Sequence, residues 1–352
     1  MKNKLLAINF GGIGDEILFL PVLASIKEAF PEKHITLLLE PRSKSIGEIS
    51  NLTDEIKLFD IKKRPLIIKD YLELLQILRS GDYETVISSG STPLVACLLF
   101  ASGIPERIGF DSGALSRILL TRAIKLNKNQ YASNMYHDLV QGLGLKQKNV
   151  IPKIKVSEKH ASNMQSFLER VSTKARQGHP VRVVIHPGTS KLAIKRGIIK
   201  TWSAENWAFL IKQLILDDVE VILAGGPDDR EVVFEIVKKL NNDQSSVNRN
   251  LFLSAYGETK SLADLAALID KSDLLICVDS APMHIGVALN KPVLALFGPT
   301  HPAHLLPKAS QFKFLHGGMD TLSTKIHQPQ KAISVDLQPD IVYRSALSLL
   351  RR

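Results

Sequence analysis

Cysteine is nearly absent from this chain of 352 residues, which contains only Cys97 and Cys277. Each cysteine lies in an apolar run, so we predict two buried free thiols and neither a disulfide nor a cysteine metal site. Such sparse cysteine usage is typical of proteins in a reducing compartment. We therefore expect a cytoplasmic protein.

Long hydrophobic runs are also missing from the sequence. The apolar stretch over residues 93–104 is too short to span a bilayer. The chain begins with basic residues before an apolar stretch, but Asn9 interrupts that stretch, which favours a first β-strand over an export signal. The sequence therefore predicts no membrane-spanning segment.

Aromatic residues make up only 6% of the chain, although the formal net charge is +10. Few aromatic side chains leave few platforms on which nucleic-acid bases can stack, and no recognised nucleic-acid-binding module is visible. We therefore expect no nucleic-acid partner in spite of the positive charge.

The positive charge is concentrated in residues 151–200, which hold eleven Lys and Arg against two acidic residues. The first half of this stretch has the composition of a solvated helix and a linker. The second half follows a strand-to-loop pattern and carries Lys191, Lys195, Arg196 and Lys200. These side chains either meet an anionic ligand or form a solvated basic loop, and charge alone does not decide between the two.

Short β-branched or leucine-rich runs alternate with longer amphipathic stretches in two series, which open at residues 5–10 and 182–185. Alternation of this kind predicts parallel sheets covered by helices on both faces. We predict an α/β protein with two Rossmann-like doubly wound domains, over residues 1–170 and 180–335, that face a cleft. An apolar C-terminal helix within residues 336–352 is allowed by the sequence to cross back to the first domain.

A glycine-rich loop, G-G-I-G-D at residues 11–15, follows the first predicted strand. It is not a dinucleotide-binding fingerprint, because Ile17 stands where the third glycine is required. Ligands of open α/β sheets bind at the carboxyl ends of strands, so we expect Asp15 near a ligand at a helix start. Asp15 either caps that helix or takes a proton from an acceptor hydroxyl as a general base, and the loop alone favours the cap.

The motif D-S-A-P-M-H at residues 279–284 lies between a predicted strand and a predicted helix. Ser280 and Ala281 place backbone N–H groups at the helix start, which is a ready anion site. Asp279 is placed to accept hydrogen bonds from sugar hydroxyls. The alternative is an ordinary turn with a polar N-cap, and for His284 we favour a structural role.

Two further positions carry possible ligand contacts. Lys200 precedes a predicted helix and is either a compact cation for a diphosphate or an exposed lysine. Thr300 follows a neighbouring strand and either contacts phosphate or starts a turn. His301 and His304 have no third ligand nearby in the sequence, so we predict no metal site.

In their order along the chain, these motifs resemble those of the heptosyltransferases of glycosyltransferase family 9, which build the lipopolysaccharide inner core. The resemblance covers most of the chain and is strongest in the second predicted domain. It is carried by G-G-I-G-D-E-I-L-F-L-P-V-L at 11–23, H-P-G-T-S at 186–190, K-T-W-S-A-E-N-W at 200–207, and the stretch 257–300 that ends in L-F-G-P-T.

The resemblance implies a GT-B fold and an inverting glycosyltransferase that uses neither a metal nor a cofactor. It implies Asp15 in the loop of Gly11, Gly12 and Gly14 as the general base, and in this context the base outweighs the cap. It also implies that Lys200 holds the donor phosphates and that Asp279 lies near the donor sugar. The other donor-site residues that it implies are Thr189, Ser280, Ala281 and His284.

The resemblance further implies a nucleotide-diphosphate sugar donor, such as ADP-heptose, and a lipopolysaccharide-type or other glycan or glycolipid acceptor. Because such acceptors are found at the inner membrane, it leaves open a peripheral association with that surface.

The chain departs from the family pattern at three places. Ala281 replaces a frequent glycine, Glu16 replaces a common apolar residue, and residues 316–324 lack a cysteine-bearing segment. Two alternatives therefore stay open beside the transferase: a nucleotide-sugar epimerase on the same fold, and a non-catalytic nucleotide-sugar-binding protein. A dehydrogenase is disfavoured by Ile17.

Overall fold

Two parallel sheets form the framework of the protein in a computed structural model. The structure describes residues 3–63, 66–146, 148, 150–171, 181–191, 194, 200–242, 248–317 and 335–351. The chain separates into two compact units, Met1–Lys153 and Ile154–Arg352.

The first unit holds a six-stranded sheet in the order β3-β2-β1-β4-β5-β6, in which every pairing is parallel. Its strands are β1 Lys4–Ile8, β2 His34–Leu39, β3 Glu55–Leu58, β4 Thr85–Ser88, β5 Glu106–Phe110 and β6 Arg122–Ile124. Its α-helices are α1 Ile13–Ala29, α2 Ile68–Ser80, α3 Pro93–Ala101, α4 Ala114–Leu119 and α5 Ala132–His137, with 3-10 helices over Pro41–Glu48 and Asp138–Leu143.

The second unit holds another six-stranded parallel sheet, in the order β12-β11-β10-β7-β8-β9. Its strands are β7 Arg182–His186, β8 Glu220–Leu223, β9 Phe252–Ser254, β10 Leu274–Val278, β11 Val293–Phe297 and β12 Phe312–His316. Its α-helices are α6 Glu158–Val171, α7 Ala204–Leu216, α8 Arg230–Asn242, α9 Leu262–Asp270, α10 Ala281–Ala288, α11 Pro302–Leu305 and α12 Pro339–Leu350, with 3-10 helices over Pro227–Asp229 and Arg249–Leu251.

Each sheet has the same topology when its strands are counted from the start of its own unit. The spatial order is then 3-2-1-4-5-6, which is that of a doubly wound Rossmann sheet. The predicted α/β fold class is confirmed. Ligands of such sheets bind where the strand order reverses, which is beyond β1 and β4 in the first unit and beyond β7 and β10 in the second.

The central strands are buried because helices cover both faces of each sheet. In the first unit, β1 is apolar at Leu5, Leu6, Ala7 and Ile8, and all four are buried. Near-continuous apolar runs of this kind are expected of strands in parallel sheets. The loops that leave the carboxyl ends of these strands are thereby held on a rigid support.

Helix α6 belongs to the second unit, whereas the sequence placed residues up to 170 in the first domain. It packs on α9, and His160 Nδ1 lies 2.7 Å from Asp264 Oδ1. Its buried residues Met164, Phe167 and Leu168 require an apolar partner surface. The basic composition of this stretch resembled a linker, but its apolar stripe makes it part of a core.

The C-terminal helix α12 also packs within the second unit, on α7 and β10. Val342, Ala346 and Leu349 are buried in the core of that unit. Upstream, Trp202 Nε1 donates a hydrogen bond to the Leu337 carbonyl oxygen at 2.9 Å. These contacts place the helix with the second unit, where the sequence had allowed it to cross back to the first.

Among the described residues, none of the helices combines the length and the apolarity needed to cross a membrane.

Candidate active site

The glycine loop connects β1 to α1 and places Asp15 in the first turn of the helix. Gly12 is the N-cap residue, and its backbone N–H donates to Asp15 Oδ2 at 2.9 Å. The capping role that the sequence offered for Asp15 is therefore present. The capping role does not exclude that Asp15 acts as a general base, because the cap uses only one carboxylate oxygen. The second oxygen, Oδ1, accepts a hydrogen bond from the Tyr136 hydroxyl at 3.3 Å.

Gly11 is required by the close approach of the Asp15 side chain. A β-carbon at Gly11 would lie 2.1 Å from Asp15 Cβ, whereas one at Gly12 would lie 3.8 Å from Asp15 Oδ2. The Gly11 carbonyl oxygen also accepts a hydrogen bond from the Ser43 hydroxyl at 3.1 Å. The loop therefore fixes the carboxylate by contacts that only glycine at position 11 permits.

Tyr136 was not found by sequence reasoning, because it lies 121 residues from Asp15 and carries no motif. Helix α5 packs on α1, and the Tyr136 ring makes an edge contact with Phe19 at 5.8 Å between ring centroids. Burial, then the charges of Asp15 and Glu16, raise the pKa of Tyr136 well above its usual value. The phenol is therefore a neutral hydrogen-bond donor toward Asp15.

Glu16 follows Asp15 but points into the protein interior, where its side chain is buried. Neither of its carboxyl oxygens has a hydrogen-bond partner among the described residues. Burial is the main cause that raises the pKa of Glu16 well above its usual value. The neighbouring charges of Asp15 and Glu40 act in the same direction, and nearby polar groups of Asn9 and Gly11 oppose it only partly.

Asp279, which is buried, and Lys200, which is partly buried, form an ion pair in the second unit. Lys200 Nζ lies 2.7 Å from Asp279 Oδ2 and also donates to the Asp279 carbonyl oxygen at 3.1 Å. Thr300, in the loop after β11, donates its hydroxyl to the same Asp279 Oδ2. Three positions that the sequence singled out separately are thus brought together at the carboxyl edge of the sheet.

The ion pair determines the protonation state of Asp279. Burial by itself raises the pKa of this carboxyl, but the charge of Lys200, the hydrogen bonds from Lys200 and Thr300, and His284 together lower it below its usual value. Asp279 is therefore a carboxylate at neutral pH.

Residues 280–284 form the turn into α10 and its first residues. Ser280 is the N-cap in an extended conformation, Ala281 begins the helix, and a proline occupies the first turn. Backbone N–H groups in the first turn of a helix lack intrahelical partners and favour anions. His284 is buried in this first turn.

Thr189 is buried in the loop after β7, and β7 pairs with β10 in the sheet. At the end of β7, which leads into this loop, His186 Nε2 is 3.6 Å from Asp229 Oδ2. Asp229 also accepts the Gly226 backbone N–H at 2.8 Å, so one carboxylate connects the loops after β7 and β8. Sequence reasoning missed the contact between His186 and Asp229, although His186 is the first residue of the motif H-P-G-T-S at 186–190. Burial lowers the pKa of His186, with Asp229 opposing.

The basic loop is described only in part. The Lys191 backbone N–H donates to Asp228 Oδ2 at 3.0 Å, and the Lys191 side chain is exposed. Lys195 and Arg196 lie outside the described residues, as does most of the segment 316–324.

Among the residues that are described, no three or more His, Cys, Asp or Glu side chains are grouped so that they could hold a metal ion. His301 and His304 have ring centroids 4.6 Å apart.

Known proteins provide an independent comparison. The profile of Glycosyltransferase family 9 (heptosyltransferase) matches residues 71–329. The chain is 28% identical over 298 residues to lipopolysaccharide heptosyltransferase 3 of Escherichia coli, covering 82% of this chain and 81% of that one. It is 26% identical over 358 residues to lipopolysaccharide heptosyltransferase 2 of Salmonella typhimurium, covering 99% and 98%.

A solved structure agrees with these similarities at the level of the fold. The crystal structure of a family 9 glycosyl transferase from Veillonella parvula is similar with a TM-score of 0.76 at 23% identity, covering 99% of this chain and 97% of that one. Together with the two doubly wound sheets, this likeness confirms the predicted GT-B architecture.

Proposed function

Because the chain belongs to glycosyltransferase family 9, the heptosyltransferase family, we propose that it transfers a heptose from ADP-heptose to a hydroxyl of a lipopolysaccharide-type acceptor. The chain is a glycosyltransferase. The names of its curated relatives support heptose as the sugar and lipopolysaccharide as the acceptor. The chemistry of the site supports a nucleotide diphosphate as the leaving group.

The buried arrangement of Lys200, Asp279 and the start of α10 is the observation that carries this proposal. Asp279 binds the Lys200 ammonium, and the Thr300 hydroxyl donates to the same Asp279 oxygen. The ammonium is thereby held beside a helix N-terminus, where it combines with backbone N–H groups to offset negative charge. When a diphosphate departs from the anomeric carbon, negative charge develops on the phosphate oxygen that was bonded to that carbon. A fixed cation and a helix N-terminus stabilise that charge without a metal ion, which is the mechanism we propose.

Asp15 is the proposed general base of the first unit. Its carboxylate removes the proton from the acceptor hydroxyl as the acceptor oxygen forms a bond to the anomeric carbon of the donor and the bond to the diphosphate breaks. Attack from the face opposite the diphosphate inverts the configuration at that carbon. The Gly12 N–H and the Tyr136 hydroxyl orient the carboxylate, one through each oxygen.

Replacement of Asp15 by Asn tests the proposal. The amide keeps the shape of the side chain but cannot accept the proton, so we expect a loss of about a hundredfold or more in kcat with the donor Kd unchanged. Transfer to a lipopolysaccharide acceptor is measured by release of ADP, and donor binding by calorimetry. Unchanged turnover in Asp15→Asn would refute the assignment of the base.

The identity of the donor is tested separately with the unmodified chain. We expect transfer from ADP-heptose, inversion at the anomeric carbon by NMR of the product, and retention of activity after treatment with a chelator. Turnover with another nucleotide sugar and none with ADP-heptose would overturn the donor and leave the class of reaction intact.

A further inference from the structure

Two neighbouring loops at the carboxyl edge of the second sheet are joined by side chains. The β7 loop comprises residues 187–191, and the β8 loop comprises residues 224–229, whose last three form a 3-10 helix. The backbone hydrogen bonds between β7 and β8 end where the Ala224 N–H donates to the Ile185 carbonyl oxygen at 2.8 Å. Beyond that bond, the side chains of Asp228 and Asp229 connect the two loops.

The buried carboxylate of Asp229 contacts both loops. Its Oδ2 accepts the Gly226 N–H at 2.8 Å and lies 3.6 Å from His186 Nε2 at the end of β7. Its Oδ1 faces Gly188, where a β-carbon would lie 1.8 Å away. So close an approach leaves no room for a side chain at Gly188. The position of the β7 loop therefore depends on the position of Asp229.

The adjacent Asp228 makes a weaker connection on the outside of the same turn. Its side chain is exposed, and its Oδ2 accepts the Lys191 N–H at 3.0 Å. Water can replace an exposed acceptor, whereas loss of a buried carboxylate leaves a cavity and an unsatisfied donor. Asp228 and Asp229 thus have the same charge and neighbouring positions but differ in burial.

The β7 loop leads toward the proposed diphosphate site. In the pairing of β7 with β10, His186 stands opposite Cys277, two residues before Asp279. The buried Thr189 follows His186 in the β7 loop, and Lys200 binds Asp279 at the same edge of the sheet. A displacement of the β7 loop would therefore move Thr189 relative to the cation and to the start of α10.

We infer that Asp229 is a positioning residue for the donor, because it fixes the β7 loop and with it Thr189 beside the diphosphate site. The inference rests on the proposed donor site, in which Asp229 has no direct contact with the donor. Charge alone predicts the opposite effect, since a carboxylate near a diphosphate weakens binding. The sign of the change in donor affinity on loss of Asp229 therefore separates position from charge.

Calorimetry with ADP measures that sign in the full chain. Asp229→Ala should raise the Kd of ADP about tenfold, although it removes a negative charge, because Thr189 loses its fixed position. Asp229→Asn keeps an oxygen that can accept the Gly226 N–H, so it should restore most of the affinity. Asp228→Ala removes the same charge from an exposed position and should leave the Kd unchanged or lower it.

Gly188 tests the same contact from the other loop. Gly188→Ala must displace the β7 loop from Asp229 and should weaken ADP binding, whereas at Gly226 a β-carbon would lie 3.6 Å from Asp229 Oδ2, so Gly226→Ala should not. Gly188→Ala combined with Asp229→Ala should bind ADP no more weakly than Asp229→Ala alone, since the colliding oxygen is then absent.

Hydrogen exchange without ligand tests the contact independently of the donor. We expect faster exchange in residues 186–191 of Asp229→Ala and unchanged exchange in the first unit, which shows that the chain remains folded. Unchanged exchange in residues 186–191, or tighter ADP binding by Asp229→Ala, would overturn the inference.

The two proposals fail in different ways. An unmodified chain that binds no ADP would refute the proposed donor, and faster exchange in residues 186–191 of Asp229→Ala would still support Asp229 as the residue that holds the β7 loop. An unmodified chain that binds ADP only as tightly as Asp229→Ala would refute the inference and leave the proposed donor intact.

Discussion

Two adjacent carboxyl groups on α1 have different environments. Asp15 accepts hydrogen bonds from the Gly12 N–H and the Tyr136 hydroxyl, whereas Glu16 is buried without a hydrogen-bond partner among the described residues. A carboxyl group in an apolar environment remains protonated to a higher pH. Burial of Glu16 therefore opposes a second negative charge directly beside Asp15.

Glu16→Gln should change the pH dependence of stability. The pKa of Glu16 in the folded state lies above its ordinary value of 4.5, so the folded state binds more protons than the unfolded state above that pH. The contribution of Glu16 to stability is fully present below about pH 4.5 and is lost as pH rises through the folded pKa. We expect the stability of Glu16→Gln relative to the unmodified chain to increase from pH 4.5 toward pH 8.

Urea unfolding across this pH range measures the effect. Glu28→Gln, at an exposed position on the same helix, is the matched control and should reproduce the pH dependence of the unmodified chain. A stability difference between Glu16→Gln and the unmodified chain that stays constant with pH would contradict a raised pKa of Glu16 in the folded state.

Lys200 and Asp279 make a second residue-level prediction. Lys200→Met leaves the buried Asp279 carboxylate without its cation, which should lower the free energy of unfolding by about 3 kcal/mol. Asp279→Asn removes that uncompensated charge, so the double variant should be more stable than Lys200→Met. Chemical denaturation of the four proteins in the cycle gives the coupling.

The surface ion pair of Lys239 and Glu205 supplies the control for this cycle, because both side chains are largely exposed. Lys239→Met should leave the free energy of unfolding almost unchanged, because solvent screens this pair. Additive effects of the Lys200 and Asp279 substitutions would show that the buried pair is not coupled.

At the scale of elements, the strand–loop–helix junctions hold the site. The loop after β1 depends on Gly11, and the loops after β7 and β8 are joined through Asp229. A β-carbon at Gly188 would lie 1.8 Å from Asp229 Oδ1, so this second junction also depends on a glycine. Short connections between rigid strands and helices thus fix the side chains at the carboxyl edges of both sheets.

Gly11→Ala and Gly12→Ala form a matched pair at the first junction. Alanine at position 11 collides with Asp15 Cβ and must displace the carboxylate, whereas alanine at position 12 meets nothing closer than 3.8 Å. We expect kcat to fall by about a hundredfold in Gly11→Ala and much less in Gly12→Ala, because small misplacements of a catalytic group are costly. Equal activity in both variants would disprove the close-packing argument.

At the scale of the molecule, two units repeat one topology but carry different proposed roles. Asp15 follows the first strand of the first unit, while Thr189 and Asp279 follow the first and fourth strands of the second. All proposed donor-binding residues lie in the second unit. The proposed base lies in the first.

Hydrogen exchange with added ADP tests this division of roles. We expect protection in residues 186–191, 200–203 and 279–284 and none in residues 9–15. At a hundred times its Kd, a ligand stabilises the unit that binds it by about 2.7 kcal/mol. Lys200→Ala should reduce the protection by weakening phosphate binding, and Asp15→Asn should not. Protection confined to the first unit would contradict the assignment.

The sequence predicted the strands and helices whose apolar patterns are strong. The leucine-rich run at 34–39 predicts a strand, and β2 spans His34–Leu39. The amphipathic run at 204–216 predicts a helix, and α7 spans Ala204–Leu216. Strands β3, β5, β6 and β12 were not identified. β3 and β6 are short and contain no fully buried residue, so alternation alone gives them little signal.

The amino-acid sequence alone was enough to predict two α/β domains and the loops that carry the candidate site, and its motifs showed the resemblance to glycosyltransferase family 9. Those features depend on local periodicity and on glycine, proline and polar residues at strand ends, which act over a few positions. The folded chain was needed to show that Tyr136 contacts Asp15, that Lys200 and Thr300 both contact Asp279, and that α6 joins the second unit. These contacts join residues far apart in the chain, and the packing of whole helices and sheets, which no local pattern records, brings them together.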